Sequence, residues 1–290
     1  MEYRPNGWIA LIMLALFNCC NIDARVRGTN LSAAKKFKKE ATQFAIVVPS
    51  YKNAQWYKRN LSSIFKQQYQ QYRVIYVDDC SPDGTADLVE EYVREAGQEE
   101  RFTLVRNRDR VKAMANIYKA VHMCSDQEVV VMLDGDDWFH DDHVLDILAD
   151  VYADPEVWLT FGSFCMFPSG NGWAQNIPGE VVRLNAFRYH QPAPSHLRTF
   201  YAKLFKEIDR QDLCENGDFY EYTYDLAMMF PMIEMAGERF RFIPQILYVY
   251  NCENSISDHR VGKHKQRQTD LRIRARDRYQ RIESLFDYEL

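Results

Sequence analysis

Four short apolar runs, each ending at polar residues and each followed by a stretch of helical period, constrain this chain more than any other feature. They are FAIVVP (44–49), RVIYVDD (73–79), FTLVR (102–106) and the run at 128–134. Between them, residues 53–68 place Trp56, Leu61, Ile64 and Phe65 on one helical face. Residues 86–96, capped by Asp83 or Thr85, and 112–124 read as two further helices. Asp141 or Asp142 caps a helix through VLDILADVYAD, and a longer aromatic strand follows at 157–167. Alternating strands and helices predict an α/β fold, a Rossmann-like and mostly parallel sheet with helices on both faces. Ligands of such sheets bind beyond the carboxyl ends of the strands. Ser50, Asp78, Asp79 and Asp134–Asp137 all fall there.

The fourth run carries the sharpest chemical signal. VVMLDGDDWF (130–139) turns from a buried strand into three carboxylates, Asp134, Asp136 and Asp137, around one glycine. Alternate residues of an extended chain face the same way, so Asp134 and Asp136 address one spot. Crowded carboxylates repel, and hard oxygens suit Mg²⁺ or Mn²⁺, which points to a divalent metal serving a phosphate. A helix cap would explain one of the three. A calcium loop is excluded, because Trp138 and His140 occupy its remaining ligand positions and the glycine is misplaced. No GxGxxG or GxxxxGK[ST] occurs, which disfavours dinucleotide and P-loop phosphate binding.

The second half is less regular. Residues 168–179 read as a loop, and SHLRTFYAKLFKEI (195–208) as an amphipathic segment. A helix is expected from Asp225, kinked or interrupted at Pro231, and a strand at 243–251. These residues extend the first-half domain, giving one unit over 44–258. A basic linker (25–43) precedes it and a basic helical tail (259–290) follows. Residues 260–281 hold nine Lys or Arg against two Asp, a local +7, so the rest of the chain is near −12 for a total of −5. The tail is expected to be a solvated helix, with contact to anionic lipid or an anionic acceptor as the alternative. Nothing else supports nucleic-acid binding. The apolar run Trp8–Phe17, within residues 1–24, is too short to span a bilayer and fits a secretory leader cleaved near Ala24 or a membrane anchor. A membrane-associated or exported protein is expected, with a cytosolic one as the alternative. The five cysteines beyond the leader are odd in number and widely spaced, which suggests neither disulfide framework nor zinc site.

With these residues in view, the chain resembles family 2 glycosyltransferases of the GT-A fold over roughly residues 44–255. VVPSYKN (47–53), VIYVDDCSPDGT (74–85), LDGDDW (133–138) and YDLAMMFPMIEMAG (224–237) are similar to four blocks of that family. The resemblance implies an inverting, metal-dependent transfer of a sugar from a nucleotide-diphosphate donor, UDP-linked by expectation, to an acceptor hydroxyl. It also implies an acceptor-side extension toward the C-terminus. Pro49, Ser50, Tyr51, Asn53, Asp78, Asp79 and Asp134 would form the nucleotide site. In it, Tyr51 would stack on the base and Asp79 accept the base N–H. Lys112 or Arg110 would meet the diphosphate, replacing an arginine for which this chain has Ala115. Asp136 and Asp137 would hold Mn²⁺ or Mg²⁺, with His259 a weaker candidate ligand. Asp225 matches the position of the general base, although the usual acidic pair is Tyr224–Asp225 here and Glu221 stands a turn away. His196 and Arg198 fall on the acceptor side. Glycan, lipid-linked and protein acceptors are all compatible. The alternative is a non-catalytic relative that binds nucleotide-sugar or glycan.

Overall fold

The computed structural model describes residues 41–286 except 171, 174, 192–193 and 255–262. The leader, most of the linker and His259 lie outside the described residues.

The first half forms as its periodicities require. Strands β1 (Phe44–Ser50), β2 (Tyr72–Asp78), β3 (Phe102–Arg106) and β4 (Val129–Met132) are joined by helices α1 (Tyr57–Phe65), α2 (Thr85–Glu95) and α3 (Ala113–His122). All three strand pairings, β3–β2, β2–β1 and β1–β4, are parallel. β1 is buried on both faces. Ala45 and Val47 point into one apolar core, and Phe44, Ile46 and Val48 into the other. Each such side chain contributes about 1.5–3 kcal/mol by leaving water, which locks the register that places Ser50 beside Asp78. α1 is shorter than its apolar period suggests. Tyr57 and Asn60 are buried along with Leu61 and Ile64, whereas Trp56 and Phe65 are only half-buried.

After β4 the chain adds β5 (Trp138–Phe139), α4 (Val144–Val151) and β6 (Leu159–Phe167). Asp141 rather than Asp142 serves the start of α4, accepting the His143 N–H at 2.8 Å. The 168–179 segment is not all loop: it carries a two-residue strand, β7 (Gly172–Trp173), and leads into α5 (Gly179–Arg183).

The 195–208 segment departs from its amphipathic appearance. Residues Thr199–Tyr201 form strand β8, and only Ala202–Lys206 are helical (α6). β8 lies between β4 and β6 and is antiparallel to both. A minor hairpin follows, β9 (Cys214–Glu215) with β10 (Asp218–Phe219). Helix α7 (Tyr224–Ala236) then runs unbroken through Pro231, buried at every position from Leu226 to Ala236. Strand β11 (Phe240–Asn251) pairs parallel with β6 and antiparallel with β5, with register irregularities between Ile243 and Tyr248. The full order is β3-β2-β1-β4-β8-β6-β11-β5, with β7 on β6.

The basic tail is not a solvated helix. Helix α8 (Lys263–Arg274) and the residues after it are laced to the domain by arginine. Arg274 donates to the carbonyls of Arg188 and His190, Arg276 to Asp212 and the Cys214 carbonyl, and Arg278 to the Asn185 carbonyl. Arg281 bonds the Val182 carbonyl and Arg272 pairs with Glu215. Beneath them, Arg188 and Glu234 form a bidentate pair at 2.6 and 2.9 Å, almost wholly buried. The tail completes that pair: the Ile273 carbonyl accepts from Arg188, and the Tyr279 N–H donates to Glu234. No helix among the described residues is long and apolar enough to cross a membrane. The described cysteines are all free thiols, two of them buried.

Candidate active site

Parallel β1, β2 and β4 end on one edge of the sheet, and antiparallel β8 begins there. The Met132 N–H donates to the Arg198 carbonyl at 3.1 Å, so the residue just before β8 meets the last residue of β4. The result is an open cavity of about 760 Å³, within the range of ligand pockets. It is lined by Pro49, Ser50, Tyr51, Asn53, Asp79, Lys112, Asp134, Asp136, Asp137, His196, Arg198 and Asp225. Of the described residues expected at a site, Asp78 alone does not line it. Asp78 is buried below, its Oδ2 accepting the Ser81 N–H at 3.0 Å while Oδ1 has no partner. It supports the loop after β2.

The acidic loop is held by residues from three directions. Asn60 of α1 donates to the carbonyls of Asp134 and Asp137 at 3.0 and 2.8 Å. The Tyr248 hydroxyl, from β11, lies 2.5 Å from Asp137 Oδ2 and 3.3 Å from Asp134 Oδ2. The Asn251 N–H donates to Asp137 Oδ1 at 2.7 Å, and Asn254 to Asp136 Oδ2 at 2.8 Å. Gly135 gives the Pro49 carbonyl its N–H at 3.1 Å, and a β-carbon there would stand 2.7–2.8 Å from Asn53 and Ser50. This close approach explains the glycine between the carboxylates.

These carboxylates sit in a region short of positive charge. Burial, then Asp136, pushes Asp134 up to about 6, against the pull of Arg198 and Tyr248. Burial also raises Asp136, and burial with both neighbouring acids raises Asp137 well above the ordinary range. The site therefore favours a proton or a cation. Among the described residues no group of three or more acidic, His or Cys side chains is placed to hold a metal ion. Two carboxylates with open positions suit Mg²⁺-type ions, which take their other ligands from phosphate and water.

The residues expected to meet a nucleotide behave in two ways. Asp79 is committed to its own chain: its oxygens accept from Asn107 Nδ2 (3.0 Å) and from the Val111 and Lys112 N–H groups (both 2.8 Å). It fixes the 107–112 loop, and a base N–H would have to share an oxygen already in use. Tyr51 faces the cavity with the Arg110 guanidinium 3.9 Å from its ring centre. Lys112 Nζ pairs with Glu221 at 2.6 Å, so the acid a turn before Asp225 does reach the cavity wall.

On the other side, Arg198 Nη2 holds Asp225 Oδ2 at 2.9 Å, and Arg198 Nε is buried without a partner. Asp225 lies in the first turn of α7, whose N-cap residue Thr223 makes no side-chain cap bond. His196 stacks on Tyr248 with ring centres 4.4 Å apart. Burial and the adjacent Arg198 hold its imidazole well below the usual pKa, so it is neutral. Sequence reasoning missed Tyr248, Asn251, Asn254 and Asn60. The only available signal was the alternation of Tyr248 and Tyr250 on one strand face.

Comparison with known proteins accords with this geometry. The curated protein named "Putative teichuronic acid biosynthesis glycosyltransferase TuaG" from Bacillus subtilis (strain 168) is 27% identical over 97 residues, covering 33% of this chain and 37% of the relative. The aligned part thus spans little more than a third of that relative. S. aureus TarS 1–349, solved with UDP, aligns at a TM-score of 0.58 and 17% identity over 80% of this chain and 64% of its own. The mannosyltransferase PcManGT from Pyrobaculum calidifontis, solved with GDP-Man and Mn²⁺, aligns at 0.58 and 20% over 81% and 64%. At these identities the structures establish a shared fold. The family description "Glycosyl transferase family 2" matches residues 45–221, more than half of the chain, and the chain belongs to that family.

Proposed function

We propose that this chain is an inverting glycosyltransferase that moves a sugar from a nucleotide-diphosphate donor, UDP-linked in the first instance, to an acceptor hydroxyl. The observation that carries this reading is one cavity lined both by three crowded, proton-hungry carboxylates and by the Arg198–Asp225 pair. Asp136 and Asp137 would hold Mn²⁺ or Mg²⁺; bound there, the ion would screen the charge of the departing diphosphate. Pro49, Ser50, Tyr51 and Asn53 would receive the nucleoside, with Asp134 toward the ribose. Lys112 and Arg110 supply cations on the phosphate side. Asp225 would take the proton of the acceptor hydroxyl as it attacks the anomeric carbon, and Arg198 orients that carboxylate. Asp225, held by Arg198 and assigned as a general base, is the arrangement that direct displacement with inversion needs. Neutral His196 shapes the acceptor wall. TarS structures with UDP and UDP-GlcNAc, and PcManGT with GDP-Man and Mn²⁺, supply the chemical precedent. The acceptor class, whether glycan, lipid carrier or protein, and any approach to a membrane surface are part of the same proposal.

The test is calorimetric titration of UDP in Mn²⁺ and in EDTA, on the parent and on Asp136→Ala. Metal-dependent binding that disappears in the variant is the expected result. UDP binding indifferent to both metal and mutation would overturn the donor-site assignment. Asp225→Asn should then retain UDP affinity while abolishing transfer; full activity in that variant removes Asp225 as the base.

A further inference from the structure

Six arginines of the described C-terminal segment invite comparison. Arg272, Arg274, Arg276, Arg278 and Arg281 each bond an acid or a backbone carbonyl of the domain. Arg267 bonds none. It is exposed and lines the cavity that contains Asp225. Its location within that cavity is fixed by its neighbours. The carbonyl of Gln266 accepts the Thr223 hydroxyl at 3.2 Å, and Lys265 lies 5.6 Å from the Tyr222 ring centre. The start of α8 therefore packs on residues 222–223, immediately before Asp225. Lys112, which lines the same cavity, is paired with Glu221 at 2.6 Å.

A guanidinium left without a partner at a cavity wall is a preformed fork for a carboxylate or phosphate. We infer that the acceptor carries an anionic group, phosphate or carboxylate, and that Arg267 binds it while Asp225 faces the hydroxyl to be glycosylated. This rests on the donor-site reading above and adds the class of the acceptor. The tail's excess positive charge thereby gains a purpose that its five tethering arginines do not exhaust.

The test uses the full chain with saturating UDP and Mn²⁺, so that the donor site is filled. Glycerol 3-phosphate and glucuronate are titrated by saturation-transfer NMR, with glycerol and glucose as neutral controls. At least one anion should bind more tightly than its control. Arg267→Gln should weaken that anion about tenfold, the worth of one charge-assisted contact. Its UDP affinity should stay within about twofold of the parent, and Arg267→Glu should abolish the anion preference. Three results would overturn the inference: no preference for either anion in the parent, undiminished preference in Arg267→Gln, or a loss of UDP affinity in Arg267→Gln, which would assign the guanidinium to the donor diphosphate. If UDP itself fails to bind the parent, the donor-site reading falls and this inference with it. Arg267 supports no other described side chain, so misfolding does not confound the comparison.

Discussion

Gly135→Ala is the smallest change that should disable the acidic loop. A β-carbon at this position meets Asn53 Nδ2 at 2.7 Å and both Ser50 Cβ and Oγ at 2.8 Å, which is 0.6–0.7 Å inside the 3.4 Å where ordinary contact begins. None of the three neighbours is free to yield. Ser50 Oγ accepts from Asn53 at 3.0 Å and from the Tyr76 hydroxyl at 2.7 Å, and its Cβ sits at the end of a fully buried strand. The acidic loop must therefore move instead, breaking the Gly135–Pro49 bond. Overpacking of this kind costs about 1–3 kcal/mol, and each kcal/mol lowers the melting temperature of a chain this size by about 2–4 °C. A functional constellation tolerates about 0.5 Å of displacement, so binding should suffer more than folding does. Calorimetry with UDP and Mn²⁺, beside thermal unfolding, separates the two. Adding Ser50→Gly removes two of the three clashing atoms and should recover part of the melting loss. Parent-like melting and parent-like metal-dependent UDP affinity in Gly135→Ala would refute the steric argument.

Three further outcomes are expected. Tyr248→Phe keeps the stack on His196 but deletes the hydroxyl that touches Asp137 and Asp134; Mn²⁺ affinity in the presence of UDP should fall about 10–100-fold, and unchanged affinity would show that the hydroxyl does not position the carboxylates. Asp134, raised to about 6, binds its proton more tightly in the folded than in the unfolded chain. Its ionisation therefore penalises folding progressively as pH climbs from about 4 to about 6, and not below. In EDTA, the melting advantage of Asp134→Asn over the parent should widen across that window and level off above it; an advantage that is constant or narrows with rising pH contradicts the shift. Glu234→Gln strands the buried Arg188 guanidinium and should cost about 3–5 kcal/mol in urea unfolding; a loss under about 1 kcal/mol would mean the pair is solvated.

The half of the cavity built on β1, β2 and β4 was legible because it rests on local patterns. β1, β2 and β4 announce themselves as apolar runs, and a parallel sheet delivers Ser50, Asp79 and Asp134 to one edge whatever follows. The other half is non-local. Three residues of strand at Thr199–Tyr201 cannot be told from the helix that continues them, because Phe200, Leu204 and Phe205 fit either period. Only the vacancy between β4 and β6 decides for a strand. Tyr248, Asn251 and Asn254 are ordinary residues whose meaning depends on β11 lying beside the acidic loop. The tail misled for a related reason: a run of arginines looks the same whether it faces water or a row of carbonyls. Asp78 and Asp79, alike in sequence, separate because one lies under the edge and the other holds the loop above it.

The buried Arg188–Glu234 pair also bears on how the protein is made. Synthesis proceeds from the N-terminus, and both members of the pair emerge well before the groups that complete them, the Ile273 carbonyl and the Tyr279 N–H. A nascent chain stopped at residue 260 would have to bury a guanidinium and a carboxylate with missing partners, or leave α7 undocked and its apolar surface open. The first route is costly and the second invites association with other chains. Final closure of this half of the molecule therefore waits for residues 273–279 to leave the ribosome, whereas β1–β4 can assemble earlier.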